Sequence, residues 1–488
     1  MPKQPLRDIV IVLPGITGSV LQKDGQDVWA PSAQAVLGAL RTLGGVIQSV
    51  RLAGDDPELE DLGDGIRATR LVPDVHLIPG LVKIDGYSQT LRLIEDNFEV
   101  TRGSIDDDHP ANLFEFPYDW RRDNRFTARQ LKRLIDRRLP QWRTASGASD
   151  ARVILIGHSM GGLVSRYYLE VLEGWRDCRA LITFGTPFRG APNAVNYVAN
   201  GYKQLFLDLT EVMRSFTSVY QLLPIYKSVE IDGAYHRVAE TDGIPGIDRE
   251  RAAQALSFHR EIEAAVTEHR RSLEYLEQGY RILPVVGTRQ PTWQSAHVTE
   301  GRVTVDDTLP AGIDARLGDG DGTVPMLSAI PIELSQAYQD TFIPERHASL
   351  QRNPNVLEDL RNRLVRMQIV GLDGIRDIAD VPGARPSAQA AERPALAIQL
   401  DDVYAPGEPV EISATVVNAQ TPVQALNARV ESLTGQAAPI TRAFRDQGAG
   451  WSLTLDALPP GTYRLSVQPA DPGPDRPGAV HDIFEVVA

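Results

Sequence analysis

Residues 153–168 read "VILIGHSMGGLVSRYY". An unbroken apolar run stops at Gly157, a serine follows between small residues, and the chain resumes at once with helical character. No other stretch constrains the fold as tightly. A strand without polar positions must be covered on both faces, which is the habit of parallel sheets flanked by helices. Gly157-His158-Ser159-Met160-Gly161 is a G-x-S-x-G motif between that strand and that helix, the context the motif requires. The reason is steric: a serine at a sharp, strained strand-to-helix turn leaves no room for side chains on its neighbours. The following helix directs its N-terminal N–H groups at the same point. We read Ser159 as a nucleophile, against the competing reading of a tight turn with an inert serine.

The rest of the first two thirds repeats the strand–helix rhythm. "DIVIVLP", "ANLFEFPYDW", "RALITFGTP" and "YRILPVVGT" read as further strands, and "TARQLKRLIDRRLPQW" as a helix with Leu131, Leu134, Ile135 and Leu139 on one face. Such alternation predicts βαβ units and a mostly parallel sheet. Two long insertions interrupt it, at about residues 20–110 and 190–280, and excursions of that length act as caps or lids. In the second, "YKQLFLDLTEVMRSF" and "AAQALSFHREIEAAVTEHRRSLEYL" carry helical signals. In the first, Val36, Leu37, Leu40, Leu43, Val46, Ile47 and Val50 recur at helical spacing. That stripe is read as a segment buried on its own core or as a lid at an interface. Residues 1–376 are expected to form one α/β domain with these caps.

Residues 377–394, rich in alanine, proline and polar side chains, read as a linker. From 395 to 488 seven short alternating segments, from "LAIQLDDVY" to "HDIFEVVA", are separated by turns such as "APGEP" and "LPPGT". They predict an immunoglobulin-like β-sandwich.

A serine hydroxyl needs a base to take its proton. In α/β-hydrolases the partners follow in the order serine, acid, histidine. "GDGDGTVP" at 318–325 offers Asp321, four residues before Pro325, with Asp319 as the second choice. A calcium loop is the rival reading, but no glutamate closes it. His347, in "PERHASL", follows the acid loop and is the expected base. His158 is read as a packing neighbour. The backbone N–H groups of Met160 and of Ile16, in "LPGITGS" after the first strand, are the expected oxyanion donors. No phosphate-loop motif is present.

"LPGITGS", "FPYDWRRDNR", "GHSMGG", "GTPFRGA", "SVYQLLP", "GDGDGTVP" and the late His347 occur in this order. In this set the chain resembles the lecithin:cholesterol acyltransferase and lysosomal phospholipase family, over roughly residues 8–370. The resemblance implies an α/β-hydrolase that attacks an acyl ester of a lipid, as a phospholipase, lipase or O-acyltransferase, through an acyl-enzyme on Ser159. It carries over Ser159, Asp321 and His347 as a triad, with Ile16 and Met160 as oxyanion donors. Tyr118, Asp119 and Trp120 of "FPYDWRR" are expected to shape a substrate groove; the alternative is an Asp119–Arg121 ion pair with Trp120 in the core. The other readings are a serine esterase or peptidase on a non-lipid substrate, and a hydrolase-fold binding protein without catalysis. The terminal sandwich lies outside the resemblance and is expected to hold a partner or surface.

Bulk properties narrow the partners. A net charge of −14 on 488 residues argues against nucleic acid. The lone Cys178 cannot form an intrachain disulfide, and the histidines lack zinc-ligand spacing. We expect no metal and no organic cofactor. The expected partners are a lipid or other acyl ester, a transient membrane surface, and a protein bound through the sandwich. The apolar run near the start is too short to span a bilayer and reads as a strand, so the expected location is cytoplasmic.

Overall fold

The computed structural model describes residues 2–29, 50–72, 75–78, 82–204, 207–334, 341–369, 394–419, 421–433, 437–473 and 475–487. The apolar stripe from Val36 to Ile47, and the expected linker up to residue 393, lie outside the described residues.

Seven strands build the central sheet: β1 (Ile9–Leu13), β2 (Arg102–Gly103), β3 (Leu113–Glu115), β4 (Val153–His158), β5 (Cys178–Phe184), β6 (Arg281–Gly287) and β7 (Thr341–Ile343). Their order is β7-β6-β5-β4-β1-β3-β2 and every pairing is parallel. This is an α/β-hydrolase sheet. Every residue of β1 and β4 is buried, as the apolar runs required. Alternation divides each run between two cores. Ile9, Ile11, Leu13, Val153 and Leu155 face one, and Val10, Val12, Ile154 and Ile156 the other.

Helix α1 (Ser88–Asn97) adds Leu91 and Ile94 to the second core, α2 (Asn124–Ser146) adds Leu131, Leu134 and Ile135 to the first, and α3 (Met160–Glu170) follows β4 directly. Asp123 caps α2 by accepting from Arg125 N at 2.8 Å, and Gly147 ends it at φ 72°. Further on are α4 (Pro192–Asn200), α5 (Arg249–His269) and α6 (Pro354–Ile369), the last packed beside α1.

Three boundaries differ from expectation. Residues 88–103, placed in the first insertion, form α1 and the edge strand β2 and so belong to the core. Within "YKQLFLDLTEVMRSF" the backbone pairs Lys203–Gln204 with Leu207–Asp208, and a helix begins only at Thr210. The second insertion also recruits a later hairpin: Val229–Ile231 pairs in parallel with Ser295–Thr299, which turns back as Arg302–Asp306.

The C-terminal unit is a β-sandwich. Ala395–Gln399, Val410–Val417, Trp451–Leu455 and Arg445–Asp446 form one sheet; Val403–Tyr404, Val480–Val486, Gly461–Pro469, Leu426–Ser432 and Ile440–Ala443 form the other. Two segments read as single strands each cross between the sheets. "LAIQLDDVY" does so after Gln399, and "ITRAFRD" at the buried Phe444. Alternation continues through both crossings, so the pattern hid them.

The sandwich meets the hydrolase domain through buried charge. His481 Nδ1 bonds Glu345 Oε2 at 2.7 Å, and Arg464 Nε donates to Asp85 Oδ2 at 3.0 Å. Burial pulls the His481 imidazole down, but Glu345 outweighs it and leaves the pKa raised; Asp85 adds to the rise and Arg352 opposes it. A raised folded-state pKa gives stability that is full below the ordinary histidine value and lost as pH rises through the raised one. Melting should therefore come earlier at about pH 9 than at about pH 6. His481→Gln should shrink that difference; a melting curve of unchanged pH dependence in the variant refutes the assignment.

Candidate active site

The carboxyl ends of β1, β4, β5, β6 and β7 lie along one edge of the sheet, where open α/β folds bind ligands. The connections that leave them carry the expected site residues.

Ser159 sits at φ 50°, ψ −123° as the N-cap of α3, a conformation rare for any residue but glycine. The flanking glycines are required by contact. A methyl on Gly157 would stand 2.8 Å from Gly162 N, and one on Gly161 would stand 2.5 Å from the Pro14 carbonyl oxygen. The loop after β1 thus lies directly on the turn that holds Ser159.

Asp321 and His347 are brought together. His347 Nδ1 donates to Asp321 Oδ2 at 2.7 Å, and the His347 backbone N donates to the Asp321 carbonyl at 2.8 Å. Asp321 Oδ1 accepts from Thr323 N at 3.0 Å and Val324 N at 2.7 Å, which fixes the carboxylate plane. His347 and Ser159 line the same cavity. Asp319 is engaged elsewhere: its Oδ1 accepts from Arg289 N and Gly320 N, both at 2.7 Å. Burial raises its pKa. Among the described residues no cluster of histidine, cysteine and carboxylate side chains is arranged to hold a metal ion.

Ile16 lines the cavity and Met160 is the first residue of α3. Neither backbone N–H has a hydrogen-bond partner among the described residues.

His158 is more than a packing neighbour. Burial pulls its pKa down to about 3, with the nearby His347 adding to the effect, so the ring is neutral. Its Nε2 lies 3.3 Å from the His347 carbonyl oxygen and must carry the proton; its Nδ1, 2.9 Å from Tyr87 Oη, must accept. The Tyr87 oxygen in turn accepts from Gly15 N at 2.9 Å. Burial keeps that phenol protonated by raising its pKa. A directional chain therefore runs from Gly15 through Tyr87 and His158 to His347. It ties the loop of Ile16 to the loop of the expected base. Sequence reading missed Tyr87 because "KIDGYSQ" carries no motif.

The cavity is a narrow apolar slot of about 70 Å³. The second insertion roofs it with Ala191, Ala194, Met213, Val219 and Leu222. A wider groove of about 510 Å³ opens from His347 and is lined by Lys83, Asp307, Asp402 and Asp482.

Tyr118, Asp119 and Trp120, expected to shape a substrate groove, do not line the slot; Tyr118 and Asp119 line a separate groove with Arg122 and Phe126. Tyr118 Oη donates to Pro14 O at 2.7 Å and Trp120 Nε1 to Ser19 O at 3.0 Å, so both brace the Ile16 loop from behind. Asp119 clasps the fully buried Arg121 at 2.9 and 2.6 Å. The Trp120 ring packs on Trp29 and Phe216. Aromatic bulk and an internal ion pair serve the core here.

The family model for lecithin:cholesterol acyltransferase matches residues 108–357. The Homo sapiens protein "Lysosomal phospholipase A and acyltransferase" is 25% identical over 240 residues, covering 46% of this chain and 53% of that protein. "Lecithin-cholesterol acyltransferase-like 4" of Arabidopsis thaliana is 28% identical over 138 residues, covering 24% of each. The chain thus spans about half the length of the first relative and about a quarter of the second. Bacillus licheniformis lipase BlEst2 in mature form aligns with 74% of this chain and 94% of its own, at 13% identity and a TM-score of 0.34.

Tyr87→Phe would leave the buried Gly15 N–H and His158 Nδ1 without their partner. Chemical denaturation should register a loss of about 1–3 kcal/mol. Unchanged stability would mean that the chain through Tyr87 does not bind the two loops.

Proposed function

The chain belongs to the lecithin:cholesterol acyltransferase family, and from that premise we propose that it cleaves the acyl ester of a lipid through an acyl-enzyme on Ser159. The observation that carries the reading is the Asp321–His347 bond of 2.7 Å beside a strained serine, opening on one apolar slot.

The chemistry follows from these positions. With Nδ1 engaged by Asp321, His347 Nε2 is the nitrogen available to take the Ser159 proton as Oγ attacks the ester carbonyl. Asp321 holds the tautomer and stabilises the imidazolium that forms. Charge developing on the carbonyl oxygen is met by the Ile16 and Met160 amides, and losing one such donor costs about 3–4 kcal/mol of transition-state stabilisation. His347 then returns the proton to the leaving alcohol. Water or a second alcohol, deprotonated by the same nitrogen, takes the acyl group from Ser159. The first gives hydrolysis and the second transfer.

The apolar slot suits an acyl chain, which a peptide substrate does not offer. The name of the human relative, a phospholipase A and acyltransferase, points to a glycerophospholipid as the acyl donor. No metal or organic cofactor enters this scheme. Among the described residues no helix is long and apolar enough to cross a membrane. A lipid substrate must then be met at a surface or drawn from one.

A fluorophosphonate probe should label the protein at Ser159, with labelling lost in Ser159→Ala. That variant should lose turnover of phospholipid vesicles by about 10⁶-fold. Folded protein that resists the probe, or a Ser159→Ala variant that still releases fatty acid, refutes the reading. Adding a long-chain alcohol separates transfer from hydrolysis by whether a new ester appears.

A further inference from the structure

Three residues that flank His347 are held by the sandwich. Glu345, fully buried, accepts from His481 N at 2.8 Å and bonds His481 Nδ1 at 2.7 Å. Arg346 Nε lies 3.1 Å from Asp482 Oδ2, and its Nη1 donates to Ile398 O at 2.9 Å. Ala348 packs on Ile483, both buried. The Asp482 carboxylate is fully buried and is also bonded by Lys83 Nζ at 3.0 Å and by Ile483 N at 2.8 Å.

Buried charges of this kind hold only in one docked geometry, because each loses its partner when the surfaces part. The consequence falls on the site. Arg346 lies over the acid loop: a methyl on Gly322, next to Asp321, would stand 3.3 Å from the guanidinium carbon. The sandwich, through one arginine, therefore presses together the loop of His347 and the loop of Asp321. Lys83 completes the contact, since it lines the apolar slot while paired with Asp482 and with Asp402 at 2.5 Å.

We infer that the sandwich is a working part of the active site, with Asp482 a positioning residue that fixes the His347 ring through Arg346. The inference rests on the proposed roles of Ser159 and His347. It assigns the terminal unit a task in turnover of even a soluble, monomeric ester, where no surface or partner needs to be held.

The test uses the full chain and p-nitrophenyl butyrate, with melting temperature recorded for every variant. Asp482→Asn and Arg346→Gln should lower kcat about tenfold or more, the scale on which misplaced reacting groups cost rate, while KM stays within about twofold. Arg346→Lys, which keeps a charge for Asp482, should recover part of kcat. Val430→Ala hollows the sandwich core on a strand two removed from the one that carries Asp482; it should lower the melting temperature and leave kcat in place. If Asp482→Asn does not fold, Arg346→Gln carries the test, since that side chain is partly exposed.

Wild-type kcat in Arg346→Gln overturns the inference. So does an equal fall in Val430→Ala, which would make the effect one of general sandwich stability, and so does a rise in kcat, which would make the sandwich a restraint. Ser159→Ala serves as the blank. If it stays active, the acyl-enzyme reading fails; if it is inactive while Arg346→Gln turns over normally, only the positioning role fails.

Discussion

Ser159 is held at positive φ, a backbone state costing on the order of 1–3 kcal/mol that persists only where the surroundings enforce it. Much of the site can be traced to that enforcement. The loop after β1 presses on the turn: a methyl on Gly15 would stand 2.9 Å from Ser159 Cβ, and Gly161 lies under the Pro14 carbonyl. Tyr118 and Trp120 hold the loop from behind, and Tyr87 holds it from the side. Ile16 belongs to the same loop, and Met160 is the residue directly after the serine.

The second organising element is a line of buried hydrogen bonds across the site. Gly15, Tyr87, His158 and His347 form one direction of it, and Asp321 closes the other through both its side chain and its backbone. Neutral His158 fits this role because its two nitrogens accept on one side and donate on the other, which a charged ring could not do. Beyond His347 the line continues as charge, through Arg346 and Glu345 into the sandwich. Burial of Asp482 opposes its charge, yet Arg346 and Lys83 outweigh the penalty and hold its pKa low. A domain that looks appended along the chain is thereby joined to the edge of the sheet that carries Ser159 and His347.

Legibility in the sequence followed the range of the interactions. The buried strands, the serine turn and the helices α2 and α5 rest on local periodicity and close glycine contacts, and all were readable. The short edge strands β2 and β7 were not, since Arg102–Gly103 and Thr341–Ile343 carry no alternating pattern of their own and are strands only because a neighbour pairs with them. The "FPYDWRR" motif was noticed, but its contacts were not legible. Its aromatic and charged residues suggest a binding surface, and only packing shows that Trp120 lies between Trp29 and Phe216.

The sequence by itself determined that a fully covered strand ends at Ser159 in a strained turn, because glycines on both sides leave no other use for that geometry. It also narrowed the expected base by chain order to His347 and His481, of which only His347 lies within the stretch that carries the family motifs. What only tertiary structure decided is how residues far apart share one site: that Asp321 rather than Asp319 meets His347, that Tyr87 and His158 link two loops, and that Asp482 reaches Arg346 across a domain boundary. These pairings depend on direction and distance after folding, and no spacing along the chain encodes them.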